Sequence, residues 1–308
     1  MGITFNNAAL LLRAKRRGVT FRKTLMVGRL RFFLSKEQLH QLAKVFAVEI
    51  DAEALLKNPY AEDFIREVLG AEVVDSMDYS DYEGATLTQD LNRPIDQRLH
   101  QQYDAVIDGG TIQHVFNYPV ALTSCLNMVK TGGQLFIFTL CNNQSGQAFY
   151  QFSPDLFFRV LEPANGFQLH HIVLEEYPFL SAELALSRQC YRVTDALEVK
   201  RPICLFSKSP ITMMVEATRI SAVAPFLEYP IQSRYRMIYE DALNPPKKPE
   251  VAALGSRRWL FEILKGIVQK LPLPLKNRVI GCYELWQFSL WNRRFYTPWN
   301  PLKAPSDQ

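Results

Sequence analysis

Three aspartates stand just beyond short apolar runs of the chain: Asp78, Asp90 and Asp108. Gly28 closes another such run, and Gly109 follows Asp108 directly. A carboxylate at a strand end can accept hydrogen bonds from ribose hydroxyls or an adenine amino group, so this set suits a nucleoside ligand. Acids in such places also cap helices and form turns. His114 lies six residues past Asp108, and its imidazole titrates near neutrality. It is the candidate general base for a hydroxyl substrate, a role worth about 10²–10⁴-fold in rate. A single histidine at a helix start also serves as a cap or a packing residue. Phe149, Tyr150 and Phe152 could wall a substrate pocket, and Phe152 reads equally well as core. His170 and His171 alternate across one strand and read as ligands in neither case. Lys15-Arg16-Arg17 and Arg293-Arg294 read as solvated faces. Five scattered cysteines never form C-x-x-C and five histidines form no H-x-x-x-H, so no metal site is expected. The thiols read as buried and reduced, which points to a cytoplasmic protein.

The elements that would position these residues alternate. A short helix over 6–17 ends at Gly18, and the run from Thr24 to Gly28 reads as a strand. Ser35 caps a helix whose apolar face is Leu39, Leu42, Ala43 and Phe46. A second helix over 61–69 stops at Gly70. Short strands follow at 72–75, 85–88 and 103–107, the last turning at Asp108-Gly109-Gly110. Pro119 opens a helix that Gly132-Gly133 closes. Residues 134–140 are almost wholly apolar, as in a strand covered on both faces. Ser153-Pro154-Asp155 caps the next helix, and 167–174 with 211–216 read as a closing strand pair. Strands separated by helices imply a mostly parallel sheet with right-handed crossovers. An insertion is expected over about 177–208. Beyond about 220 the chain reads as an irregular Pro-rich appendage with one helix near 257–269.

The chain has 308 residues, 48% hydrophobic and 21% charged, which excludes a disordered or collagen-like protein. No apolar run approaches the ~20 residues of a membrane span. The opening residues carry neither a secretory signal nor a myristoylation pattern. Charge is uneven. Residues 1–35 hold eight basic and no acidic residues; 36–246 hold 16 basic and 27 acidic; 247–308 hold 11 basic and four acidic. The basic ends, the second carrying all four tryptophans, suit either contact with an anionic surface or packing against the acidic middle. No nucleic-acid-binding motif is present, so nucleic acid is not the expected partner.

The stretch Tyr103-Asp-Ala-Val-Ile-Asp-Gly-Gly-Thr-Ile-Gln-His-Val-Phe-Asn117, followed by Pro119, Ala121, Leu122, Asn127 and Val129-Lys-Thr-Gly-Gly133, resembles the fourth-to-fifth-strand region of class I S-adenosylmethionine-dependent methyltransferases. Val27-Gly-Arg29, Asp78-Tyr-Ser80, Tyr82-Glu-Gly-Ala85, Asp90-Leu-Asn92 and Phe149-Tyr-Gln-Phe-Ser-Pro154 resemble a bacterial branch of that family. The resemblance covers about 20–220. It implies an α/β Rossmann-like methyltransferase fold with a mostly parallel seven-stranded sheet and a reversed last strand. Residues 1–20 would be a basic N-terminal helix, 21–220 the methyltransferase domain, and 221–308 a basic, Trp-containing C-terminal extension. It further implies S-adenosylmethionine as cofactor and methyl transfer to a small-molecule or sugar-like acceptor. Gly28 would lie at the first strand end, Asp78 would hold the ribose, Asp90 would face the adenine, and Asp108 with Gly109 would border the methionine moiety. His114 would be the base, and the aromatics at 149–152 could favour the sulfonium. Two departures stand out. Gly28 is followed by Arg29-Leu30-Arg31-Phe32-Phe33 in place of a Gly-x-Gly-x-Gly loop, and Gln113 replaces a common glutamate. They favour the alternative of a non-catalytic protein that keeps the fold for binding or scaffolding. A dehydrogenase would need a G-x-G-x-x-G, which the chain lacks.

Overall fold

The computed structural model describes residues 2–179, 189–243 and 268–303. Most of the helix expected near 257–269, together with Trp259, lies outside the described residues, as do residues 180–188 of the expected insertion. The chain divides into two units. The first holds residues up to 193 with 208–230 and 298–308; the second holds 194–207 and 231–297.

In chain order the first unit contains β1 (Gly2–Ile3), α1 (Phe5–Arg16), β2 (Lys23–Val27), β3 (Arg31–Phe32), α2 (Lys36–Phe46) and α3 (Ala52–Leu55). Then come β4 (Val73–Asp78), β5 (Leu87–Thr88), β6 (Tyr103–Asp108), α4 (Tyr118–Met128), β7 (Val129–Asn142) and α5 (Pro154–Val160). β8 (Phe167–Glu176) and β9 (Gln189–Val193) precede α6 (Ala196–Val199) of the second unit, and β10 (Ile211–Arg219) returns to the first. The second unit continues with α7 (Ser233–Leu243) and α8 (Leu273–Gln287), and β11 (Tyr296–Trp299) ends inside the first.

A single mixed sheet runs β11-β9-β8-β10-β7-β6-β2-β4-β5. Its five strands from β7 to β5 are parallel, while β10 is antiparallel to both β7 and β8. Helices between parallel strands fit a Rossmann-like α/β fold. The expected count of seven strands is corrected to nine. The extra strands are short: β9 lies in the stretch read as an insertion and β11 in the stretch read as irregular, neither long enough to show a clear alternation.

Local chemistry explains the elements. Ser35 caps α2 by accepting from the Gln38 amide, and the Gln38 side chain accepts from the Ser35 amide in return, at 2.9 Å. In β7, Leu135, Phe136 and Ile137 are fully buried, matching a strand covered on both faces. Helix α1 is buried from Phe5 to Ala14. Its basic residues cluster at its end and bond inward: Lys15 donates to the Val68 carbonyl (2.6 Å), and Arg13 to the Lys303 carbonyl (2.7 Å) while its guanidinium lies 5.4 Å from the Trp299 ring. Arg17 forms an ion pair with the fully buried Glu216 of β10. The reading of 15–17 as a solvated face therefore holds for Arg16 and fails for Lys15; Arg17 is exposed as well but reaches in to Glu216. Gly132 and Gly133 do not close α4, which stops at Met128; they lie within β7, where a Cβ on Gly133 would sit 2.9 Å from the Asp104 carbonyl. The helix read over 61–69 is a π-helical turn at Phe64–Val68, ending before Gly70 with φ at +86°.

Candidate functional site

The carboxyl ends of β2, β4 and β6 lie side by side, yet the chain's own side chains occupy the ground between them. Gly28 has φ at +81°, and a Cβ there would collide with the Thr111 hydroxyl. That hydroxyl donates to the Val27 carbonyl at 2.6 Å. Leu30, fully buried, lies against Gly109, whose Cβ would sit 2.6 Å from Leu30 Cδ2. Overhead, β1 pairs with β3, and the Gly2 amide donates to the Gly109 carbonyl at 3.2 Å. Arg29 is held three ways. It pairs with Glu62 (2.7 Å), donates to the Glu83 carbonyl, and stacks 3.9 Å from the Tyr60 ring centroid.

The three aspartates serve separate local ends. Asp78 accepts from the Tyr79 amide at 2.6 Å and from the Arg29 amide at 3.4 Å. Asp90 accepts from the amide and side chain of Asn92, which hold its carboxyl below the usual range. Asp108 is fully buried; its Oδ1 accepts from the amides of Thr111 (2.7 Å) and Ile112 (3.3 Å). Its Oδ2 has no hydrogen-bond partner among the described residues, and burial pushes the carboxyl up to about 7. Gly28, expected at the first strand end, thus touches Thr111, and Gly109, expected to border the methionine moiety, touches Leu30.

A cavity of about 690 Å³ opens on the other side of β6, toward β7, β8 and β10. Gly109 and His114 line it, whereas Gly28, Asp78, Asp90 and Asp108 do not. Gly109 and Gly110 both line it, and its polar walls come from five elements or their ends. Gln113 is locked: its Oε1 accepts from the Thr139 hydroxyl (2.8 Å) and the Leu140 amide (2.9 Å). This leaves its Nε2 as the atom facing His114 Nε2, 3.4 Å away, so the glutamine N–H favours an unprotonated Nε2 on that histidine. Burial also lowers the His114 pKa. Asn7 is oriented by the cap of α1, its Oδ1 accepting from the Thr4 amide and hydroxyl. Gln144 is pinned by donating to the Ile211 carbonyl at 2.8 Å. Glu175, 1% exposed, accepts from Asn6 (2.6 Å) and Thr212 (3.3 Å). Phe33 and Met213 add apolar surface.

Neither Lys nor Arg is among the described residues of the lining, and Glu175 is its one carboxylate. Among the described residues such a wall offers amide, hydroxyl and carboxylate groups to hydroxyls or an ammonium. Sequence reasoning found Gly109 and His114 but missed Asn7, Gln144 and Glu175. The caps and strand register that gather them are long-range features, and no local spacing signals them. The aromatics at 149–152 do not line the cavity. Phe152 is buried against Tyr118 and Phe157, and Phe149 makes an exposed edge-on pair with Phe116. His170 meets the Thr218 hydroxyl at 2.6 Å, whereas His171 Nε2 lies 3.3 Å from Glu216 and makes no hydrogen bond among the described residues.

No protein-family model matches the chain, and no curated protein matches it. Solved structures similar to it include a S-adenosylmethionine-dependent methyltransferase of Thermotoga maritima, described as a possible histamine N-methyltransferase, at 14% identity over 70% of this chain and 91% of that one, TM-score 0.34. The 1,6-didemethyltoxoflavin-N1-methyltransferase of Burkholderia thailandensis is similar at 11% identity over 70% and 79%, TM-score 0.37. The YcgJ protein of a Bacillus is similar at 8% identity over 70% and 99%, TM-score 0.39. Likeness at this level transfers no chemistry to the present chain.

Proposed function

We propose that the first unit is a binding domain for a small, hydroxyl-rich molecule that is neutral or cationic, of the sugar or amino-sugar kind. The carrying observation is the cavity wall, whose described residues combine fixed amides and hydroxyls with one carboxylate and no Lys or Arg. Calorimetry with glucosamine, glucose and gluconate, each taken to about 10 mM, tests this. Glucosamine and glucose should bind and gluconate should not. Failure of both favoured sugars, or equal binding of gluconate, would overturn it. Glu175→Gln should weaken glucosamine by roughly tenfold while changing glucose little.

A second reading is S-adenosylmethionine-dependent methyl transfer to such a molecule. One observation favours it: His114, whose Nε2 lies 3.4 Å from Gln113 Nε2, lines the cavity together with Gly109 and Gly110. It requires Leu30 to leave Gly109. Calorimetry with S-adenosylmethionine and S-adenosylhomocysteine separates the readings. Micromolar binding would replace the first with the second, and no binding at millimolar ligand would remove the second. If turnover is found, His114→Ala should cut it by about 10²-fold or more and leave cofactor affinity nearly unchanged.

A further inference from the structure

We propose that the second unit docks on an anionic lipid surface through one face of α8. Leu275, Val279, Cys282, Tyr283 and Trp286 recur at intervals of four, three, one and three residues. At 100° per residue these fall within a single stripe about 100° wide. The stripe faces water: Leu275 is 48% exposed, Val279 40%, Tyr283 44% and Trp286 61%, and Cys282 is exposed. Leu273, Ile280 and Leu285 lie off it and are exposed as well.

Charge selects the occupant. On the same helical projection Lys276 borders the stripe on one side and Arg278 on the other, while Glu284, the helix's one acid, falls on the far face. Two long cationic side chains flanking an apolar stripe can bury their stems with it and keep their heads at phosphate level. Tyr283 and Trp286 are amphipathic rings of the kind that settle at a headgroup boundary. Trp291, 77% exposed, follows five residues after Trp286, with Arg293 and Arg294 just beyond. Residues 247–308 as a whole carry 11 basic and four acidic residues. At 1.5 Å per residue, 15 residues make a rod of about 22 Å, too short to cross a bilayer and suited to lying in its surface. No described helix is long and apolar enough to span a membrane.

Other occupants fit less well. A second copy meeting this face would bring Lys276 and Arg278 against their own equivalents. A nucleic acid would satisfy the cations and leave the apolar stripe in water.

Sedimentation of the full chain with vesicles tests the proposal, using phosphatidylcholine alone and phosphatidylcholine with roughly 30% phosphatidylglycerol. The protein should sediment with the anionic vesicles and stay in solution with the neutral ones. Each cation near the surface contributes roughly fivefold, so the pair Lys276→Glu with Arg278→Glu should weaken partitioning at least about twentyfold. Tyr283→Glu with Trp286→Glu should abolish it. All four positions are on the helix exterior, and unchanged circular dichroism checks that the variants fold. Equal binding to both vesicles, binding to neither, or undiminished binding by the charge-reversed variant would each overturn the proposal. So would a concentration-dependent dimer that Trp286→Glu dissolves.

Discussion

Asp108 has one carboxylate oxygen held by two amides and the other without a partner among the described residues. With its pKa raised to about 7, it is protonated in both folded and unfolded chains below about pH 4. Between pH 4 and 7 the unfolded chain releases this proton first, so stability falls as pH rises, and above 7 the fall is complete. Asp108→Asn keeps an acceptor for the two amides. It should flatten this dependence and gain about 1–3 kcal/mol at pH 8, read by denaturant unfolding at pH 5 and 8. An unchanged slope would count against a buried charge at Asp108. Gln113 gives a second case. Gln113→Glu would place a carboxylate beside His114 and should raise its pKa by about one unit, as followed by proton NMR titration. The position of Asp108 at a strand end was legible in the sequence, because an apolar run followed by Asp-Gly-Gly has few other folds. Its burial was not, since that depends on β7, α4 and the 111–112 turn arriving around it.

Among the elements, the β2–β3 connection shows where local reading reaches its limit. Strand β2, the cap of α2 and the core strand β7 follow from periodicity, capping residues and glycines. A bulky loop after Gly28 was also visible. That Leu30 would lie upon Gly109, 79 residues later, required the parallel pairing of β2 with β6. The contact is testable as a couple. Gly109→Ala pushes against Leu30 and should cost about 1–3 kcal/mol, and Leu30→Ala should cost about 2–4 kcal/mol for the cavity it leaves. The new methyl would fill part of that cavity, so the double variant should be more stable than the sum by about 1 kcal/mol. Strict additivity in chemical denaturation would contradict the contact. The Arg17–Glu216 pair joins α1 to β10 in the same long-range way. Burial raises the Glu216 pKa to about 7, against the pull of Arg17, and lowers that of His171 to about 3. Arg17→Met leaves Glu216 buried without its cation and should cost about 3 kcal/mol at pH 8. At pH 5, where Glu216 holds a proton, the loss should be much smaller; an equal loss at both would exclude an ionic origin.

At the scale of the whole molecule, chemistry divides between the two units. The first has an amide-rich cavity, and the second an exposed apolar and cationic helix. The thiols divide likewise. Cys125 and Cys190 are buried in the first unit, where burial also lifts Cys141 to about 12; Cys204 and Cys282 are exposed in the second. Ellman's reagent on native protein should therefore react quickly with two thiols and reach all five after denaturation. Five fast thiols would mean that the first unit opens readily. The alternation of strands and helices foretold an α/β chain, and the charge distribution an unusual basic end. It could not foretell that the sheet would collect strands from 189–193 and 296–299, segments with too few residues to show a period.

Strand β1 ties the cavity wall to the β2–β3 connection. Gly2 lines the cavity and donates to the Gly109 carbonyl, and a Cβ there would collide with the Arg31 carbonyl. Gly2→Ala should therefore loosen the β1–β3 pairing and reshape that wall in one step.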